Sequence, residues 1–150
     1  MKKTNQQKGF TMIELVVVIV VTGVLAAVAV PKFMGVTKDA RISAMDGIAD
    51  ALTSQLKSTY AKSMMKQEEK SATGTLQINN VSTDIKWGYP VGTSAAVGNL
   101  LDLGTEYAIS STGGAATVQY STALANCKVV YTEASSSSVT HTVVTDTSGC

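Results

Sequence analysis

From Phe10 to Val30 the chain reads FTMIELVVVIVVTGVLAAVAV, apolar at nearly every position and carrying one charge, Glu14. Leu15 to Val21 is apolar on every face of a helix, so this run offers no single stripe to lay against a core. At about 1.5 Å per residue the segment is roughly 31 Å long. That matches the roughly 30 Å hydrocarbon core of a bilayer. Such a surface belongs in lipid or among identical apolar helices.

Beyond Pro31 the pattern changes. Ile42, Met45, Ile48, Leu52, Leu56, Tyr60 and Met64 recur at spacings of 3, 3, 4, 4, 4 and 4, which is one face of an α-helix reaching from Lys32 to about Lys66. Lys38, Asp39, Asp46, Asp50, Gln55, Lys57 and Lys62 fall on the other side. The apolar face is expected to meet a small globular head, with Met64 and Met65 as core or gap-filling residues. Gly23 and Pro31 weaken the helix where its two halves join, Pro31 by removing a backbone donor. Gly35 and Gly47 each cost about 1 kcal/mol relative to Ala, so packing must hold that half.

After the helix, charge and turn residues run from Lys66 to Gly74. Leu76, Ile78 and Val81 predict a short strand or edge, and Trp87-Gly88-Tyr89-Pro90 a turn with aromatic anchors. Ser94 to Leu103 predicts a short helix capped by Thr93 or Ser94, turning Val97, Leu100 and Leu101 inward and ending at Gly104. Strands are expected over Ala116–Ser121, Cys127–Ala134 and Val139–Asp146, joined at Gly113-Gly114 and at the exposed Ser135–Ser138 loop. The predicted fold class is α+β: a long N-terminal helix packed on a small antiparallel sheet.

The segment before the apolar run fixes its direction. Met1 to Gly9 holds Lys2, Lys3 and Lys8 and no acid, and such a flank favours the cytoplasmic side. A cleaved signal peptide with its site among Ala26, Ala27 and Ala29 fits this pattern, and so does a plain anchor. Neither accounts for Glu14. A carboxylate at the centre of a membrane helix costs about 2.5 to 3.5 kcal/mol, less near an end, and usually has a partner. No basic residue lies within one turn beyond it, so the partner is expected from another chain.

Lys8-Gly9-Phe10-Thr11-Met12-Ile13-Glu14-Leu15 resembles the processing site of type IV pilins and of type II secretion pseudopilins. The family pattern is a short basic leader ending in Gly, then Phe, then Glu at the fifth position, and Glu14 is the fifth residue after Gly9. Gly23 and Pro31 fall where class a pilins carry their helix-weakening residues. The resemblance covers residues 1 to about 60 closely and the rest only in architecture. It implies cleavage between Gly9 and Phe10 by prepilin peptidase and N-methylation of Phe10. Glu14 would then face the freed Phe10 amine of a neighbouring subunit, and the helix would melt locally between Gly23 and Pro31 in a filament. The implied partners are further copies of the chain, the inner-membrane assembly machinery, the membrane itself and a surface or glycan receptor. The implied location is the inner membrane of a Gram-negative bacterium, then an extracellular pilus. The organisation expected is a leader over 1–9, a transmembrane and filament-core helix over 10–30, an amphipathic helix over 31–66 and a head over 67–150.

Composition narrows the remainder. Charged residues are 15% of the chain and the net charge is +1; without Lys2, Lys3 and Lys8 it becomes −2. That is no footprint for nucleic-acid binding. Both cysteines follow the anchor, which suits an oxidising compartment. Pairing of Cys127 with Cys150 is the default, and the resemblance implies the same bond. It closes a loop of about 24 residues, worth roughly 3 kcal/mol on chain entropy. There is no Cys-x-x-Cys, no phosphate loop, no calcium loop among Asp102, Glu106, Glu133 and Asp146, and a single histidine, His141. A catalytic triad, cofactor or metal site is therefore not expected, and neither is an enzyme. Asn80-Val81-Ser82 is a glycosylation sequon of little weight. Within the family, the disulfide and the CKVVYTEA stretch most resemble mannose-sensitive haemagglutinin pilins, a likeness that implies surface attachment. A major pseudopilin is the alternative; that branch usually lacks the disulfide and often binds calcium. A lipid-anchored periplasmic binding module or enzyme leaves Gly9, Phe10 and Glu14 unexplained.

Overall fold

The structure, a computed structural model, describes residues 9–122 and 124–150, and of Met34 the backbone alone. Lys2, Lys3 and Lys8 of the basic leader lie outside the described residues. Helix α1 runs from Met12 to Met65 and is continuous through Gly23 and Pro31. Asp39–Cys150 forms one compact unit and the helix up to Lys38 belongs to another.

The second half of α1 buries Met45, Ile48, Leu52 and Leu56, as the apolar spacing predicts. Beyond Leu56 the stripe departs from expectation. Thr59 and Ser63 are buried, Tyr60 is half-buried, and Met64 and Met65 are exposed. The cause is the helical pitch. Successive steps of four overshoot a 3.6-residue turn, so Met64 lies about 160° around the axis from Ile48. Thr59 and Ser63 stay on the inward face. Their hydroxyls donate to the Gln55 and Tyr60 carbonyls at 2.9 and 2.7 Å, which removes the penalty of burying them.

The helix ends at Met65, close to the expected Lys66, and the chain turns away at Gln67. Gln67 is left-handed (φ 59°), the Glu68 amide donates to the Ser63 carbonyl at 3.0 Å, and the Gln67 amide donates to Met64 at 3.1 Å. This is a Schellman ending without its usual glycine.

Two antiparallel sheets follow. The first is β1 (Gly74–Ile78), β2 (Val81–Lys86) and β3 (Tyr89–Pro90) in that order. Val81 thus starts a second strand rather than ending one. Asn79 and Asn80, both at positive φ (51° and 64°), form the two-residue turn between β1 and β2. The sequon Asn80 therefore sits in a hairpin turn. Trp87 and Gly88, at 52° and 82°, make the next turn.

Helix α2 (Ser94–Leu100) is capped by the Thr93 hydroxyl, which accepts from the Ala96 amide at 3.2 Å. Val97, Leu100 and Leu101 are buried as expected, but the helix ends at Leu100 and not at Gly104.

The second sheet is β4 (Tyr107–Thr112), β5 (Ala115–Tyr120), β6 (Lys128–Thr132) and β7 (Thr142–Asp146). β4 is absent from the strands that the sequence pattern predicts. Gly113-Gly114 turns it into β5, Val118 pairs with Val129, and Tyr131 pairs with Val143. Val118, Val129 and Tyr131 point into the core with Leu76, Ile78 and Ile85 of the first sheet and the buried stripe of α1. The Ser135–Ser138 stretch lies in the β6–β7 connection, mostly exposed, with the preceding Ala134 buried.

Candidate functional site

Chemistry concentrates at the start of α1. Gly9, Phe10 and Thr11 precede the helix, are not helical and are exposed, Phe10 at 92%. Thr11 is the N-cap. Its amide and its hydroxyl both donate to Oε2 of Glu14 at 2.8 Å, and the Glu14 amide donates back to the Thr11 hydroxyl at 3.2 Å. This is a capping box, Thr-x-x-Glu, in which two otherwise unpaired backbone donors of the first turn are satisfied. Glu14 therefore accepts hydrogen bonds inside its own chain, from Thr11, although none of them comes from a basic residue. The T-x-x-E spacing was available in the sequence as the signal for it.

Past the cap, Leu15 to Val21 are exposed all around the helix, as a run with no stripe requires. Phe10, Ile13, Glu14, Val17 and Val18 share one exposed face at the start of the helix. Thr22 and Thr37 do not leave bare hydroxyls on this surface. They donate to the Val18 and Phe33 carbonyls, four residues back, at 2.7 and 3.1 Å. The helix is long and apolar enough to cross a membrane. Nothing crowds Gly23. Pro31 cannot donate to the carbonyl four residues before it.

The cysteines meet at the other end of the chain. Cys127 and Cys150 form a disulfide with Cα atoms 4.8 Å apart. Arg41 of α1 donates to the Cys150 carbonyl at 3.5 Å, and the Gly149 amide donates to the Asn126 carbonyl at 2.9 Å. The C-terminal strap is thus fixed to the start of β6 and to the helix.

Two further arrangements hold the head. Oε1 and Oε2 of Glu133 accept from Lys86 Nζ at 2.5 Å and from the Gly92 amide at 2.7 Å, linking the strand β6 end to the first sheet. Gly92 lies so close to the Gly114 carbonyl that a side chain there would collide with it. His141 precedes β7 rather than lying in it. Its ring sits 4.2 Å from that of Tyr89, which stacks on Tyr60 of α1 at 4.9 Å. Burial pushes the imidazole below the usual histidine range, and among the described residues Nδ1 meets no hydrogen-bond partner. Tyr131 donates to the Pro90 carbonyl at 2.5 Å, and burial pushes its phenol well above the usual range.

Comparison with known proteins points to the N-terminal end of the chain. Residues 4–30 match the prokaryotic N-terminal methylation motif. The chain is 49% identical over 47 residues to the type IV narrow pilus major component of Thermus thermophilus, covering 31% of this chain and 40% of that one. It is 36% identical over 83 residues to the fimbrial protein of Neisseria meningitidis, covering 55% and 46%. To the type II secretion system core protein G of Escherichia coli it is 54% identical over 35 residues, covering 23% and 24%. The chain thus spans less than half the length of each of these proteins. No solved structure matches it. Over its N-terminal region the chain is similar to type IV pilus and fimbrial proteins and to a type II secretion core protein.

Proposed function

We propose that this chain is a structural subunit of a type IV pilus. In this reading prepilin peptidase cuts between Gly9 and Phe10, and Phe10 is N-methylated. The apolar segment over 10–30 holds the subunit in the inner membrane until the assembly machinery polymerises it into an extracellular filament. The carrying observation is the helix that is apolar all around yet bears one carboxylate, Glu14, at its start. Lipid and a bundle of identical helices both accept the apolar surface; the carboxylate gives the bundle its register by meeting the Phe10 amine of another copy. No catalytic role is assigned. The finer reading is a class a pilin of the mannose-sensitive haemagglutinin type from a Gram-negative bacterium, used in attachment to a surface or glycan receptor. Its support is the disulfide-closed C-terminal strap and the likeness carried by the CKVVYTEA stretch.

Mass spectrometry of sheared filaments tests the proposal. Mature chains beginning with N-methylated Phe10 are the expected result. An N-terminus at Met1, or one beyond Pro31, would overturn it.

A pseudopilin is the second reading, favoured by the 54% identity to core protein G over 35 residues. Electron microscopy separates the two: long surface filaments that vanish when the gene is deleted belong to a pilin.

A further inference from the structure

The connection between β6 and β7 is fixed at both ends and held between them by one aromatic contact. At its start the Glu133 amide donates to the Gly114 carbonyl at 3.0 Å, and Ala134 is buried. At its end Thr142 pairs with Thr132 as β7 begins. In between, the Ser135 amide donates to the Val139 carbonyl at 3.3 Å. The Ser138 and Val139 amides donate to the Ser136 hydroxyl at 3.3 and 3.0 Å. Among the described residues these bonds stay inside the connection, so they shape it without tying it to the head. What ties it is the half-buried ring of His141, which lies 4.2 Å from Tyr89 and 6.2 Å from Tyr131. Tyr89 in turn stacks on Tyr60 of α1 at 4.9 Å.

A proton on that ring would place a charge where no opposite charge faces it. The groups around it are Tyr89 of β3 with Tyr60 of α1 behind it, and Tyr131 of β6. Glu133, which follows β6, is engaged by Lys86 of β2 and by the Gly92 amide. From Ala134 to Thr145 the chain itself carries no acid, Lys or Arg. The Nδ1 atom is buried and meets no partner among the described residues. Undocked, the ring would stand in water, where its charge costs little. Burial lowers the affinity of the docked ring for a proton. Docking is therefore complete above the ordinary histidine value of about 6.5 and weakens as pH falls through it.

We propose that His141 pins a pH-released strap: the neutral ring holds residues 135–141 against Tyr89, and protonation frees them and uncovers the Tyr89–Tyr60 stack while the four-stranded sheet stays paired. The strap works within one chain, so it does not depend on filament assembly.

Hydrogen exchange of the full-length chain in detergent micelles tests this, read by mass spectrometry at pH 7.5, 6 and 5 and corrected for the intrinsic rate. A free imidazole is about thirtyfold more protonated than neutral at pH 5, which sets the ceiling for the gain in strap opening. Exchange over 135–141 should rise at least about threefold between pH 7.5 and pH 5, with residues 115–120 of β5 unchanged. His141→Phe keeps a ring for Tyr89 and takes no proton, so its strap should not respond to pH. No rise in the unchanged chain would overturn the proposal, as would an equal rise in His141→Phe. An equal rise over 115–120 would also overturn it, because the whole head would then be opening. A second measurement needs no variant. The nuclear Overhauser contact between the His141 and Tyr89 rings should be present at pH 7.5 and lost once the imidazole is protonated. Its persistence on the protonated ring would show that the strap stays pinned.

Discussion

Between Met12 and Lys38, α1 exposes Ile13, Val17, Leu25 and Phe33; between Asp39 and Met65 the same helix buries Met45, Leu52 and Leu56. The two halves are helical for different reasons. The first is rich in Val and Ile, which carry helix propensities up to about 0.7 kcal/mol per residue worse than Ala. In water such a run has little reason to be a helix. In lipid, where every backbone donor and acceptor must be satisfied within the segment, it has no other choice. The second half has ordinary propensity and one glycine, Gly47, and is held by side-chain packing. Continuity of backbone thus hides a change of driving force from solvent to core.

The largest expected effect tests that division directly. Leu52 is 0% exposed and Leu25 is 65% exposed. Leu52→Ala should cost about 2 to 5 kcal/mol in chemical unfolding of the detergent-solubilised chain. Leu25→Ala should stay within about 0.5 kcal/mol in the same experiment. Equal losses from the two would mean that the first half also packs against a core.

Next in size is the disulfide, which acts only on the head. Replacing Cys127 and Cys150 together by Ser should lower stability by roughly 3 kcal/mol, since the bridge closes a loop with a sequence separation of 23. The helicity of the first half should not change. Loss of helical signal beyond that of the head would show that the strap supports both halves. Gly88→Ala comes third, at about 1 to 3 kcal/mol. The residue sits at φ 82°, and a Cβ there would lie 2.7 Å from Ser63 Oγ and from the Tyr60 ring. Recovery in Gly88→Ala combined with Ser63→Ala would assign part of the cost to the collision rather than to the backbone.

Legibility in the sequence divides along the same line. The apolar half needs nothing but composition, because lipid reads composition; Phe10 to Val30 and Glu14 could be singled out from the sequence alone. The stripe of the second half was readable through Leu56 and failed at Met64, because four-residue steps drift around the axis and two hydroxyl residues, Thr59 and Ser63, took the inward places. Period alone could not announce that a buried serine would find a carbonyl. In the head, strands with strong alternation such as Lys128–Thr132 were visible. β4 was not: Tyr107–Thr112 reads YAISST, in which Tyr107 and Ile109 alone turn toward the core and the rest is exposed Ala, Ser and Thr. The β1–β2 hairpin was missed although Asn79-Asn80 favours left-handed turns. Thr11 was missed for a different reason. Its capping signal sits inside a motif that the family resemblance already explains, and the resemblance masks the local meaning of its spacing to Glu14.

The smallest expected effect is the one that pH applies, and it too separates the halves, because the chain's one histidine, His141, lies in the head. Its ring packs on Tyr89, which stacks on Tyr60, and near Tyr131; Glu133 is the charged group on the adjoining strand end, already engaged with Lys86 and Gly92. The folded imidazole has a lowered pKa because burial disfavours its charged form, and no carboxylate opposes that shift. The unfolded chain therefore binds a proton more readily than the folded one. By linkage, stability is fully present above the unfolded value of about 6.5 and declines as pH falls through it. The decline levels off once the folded imidazole is also protonated. Unfolding free energy of the unchanged chain should thus drop between pH 7.5 and pH 5, above the range where carboxylates such as Asp146 begin to titrate. His141→Phe keeps a ring against Tyr89 and carries no proton, so its curve should be flat across that interval. Two parallel curves would mean that His141 does not couple to folding. A slope that is steeper in His141→Phe would mean that contact with the tyrosine faces favours the imidazolium more than burial opposes it.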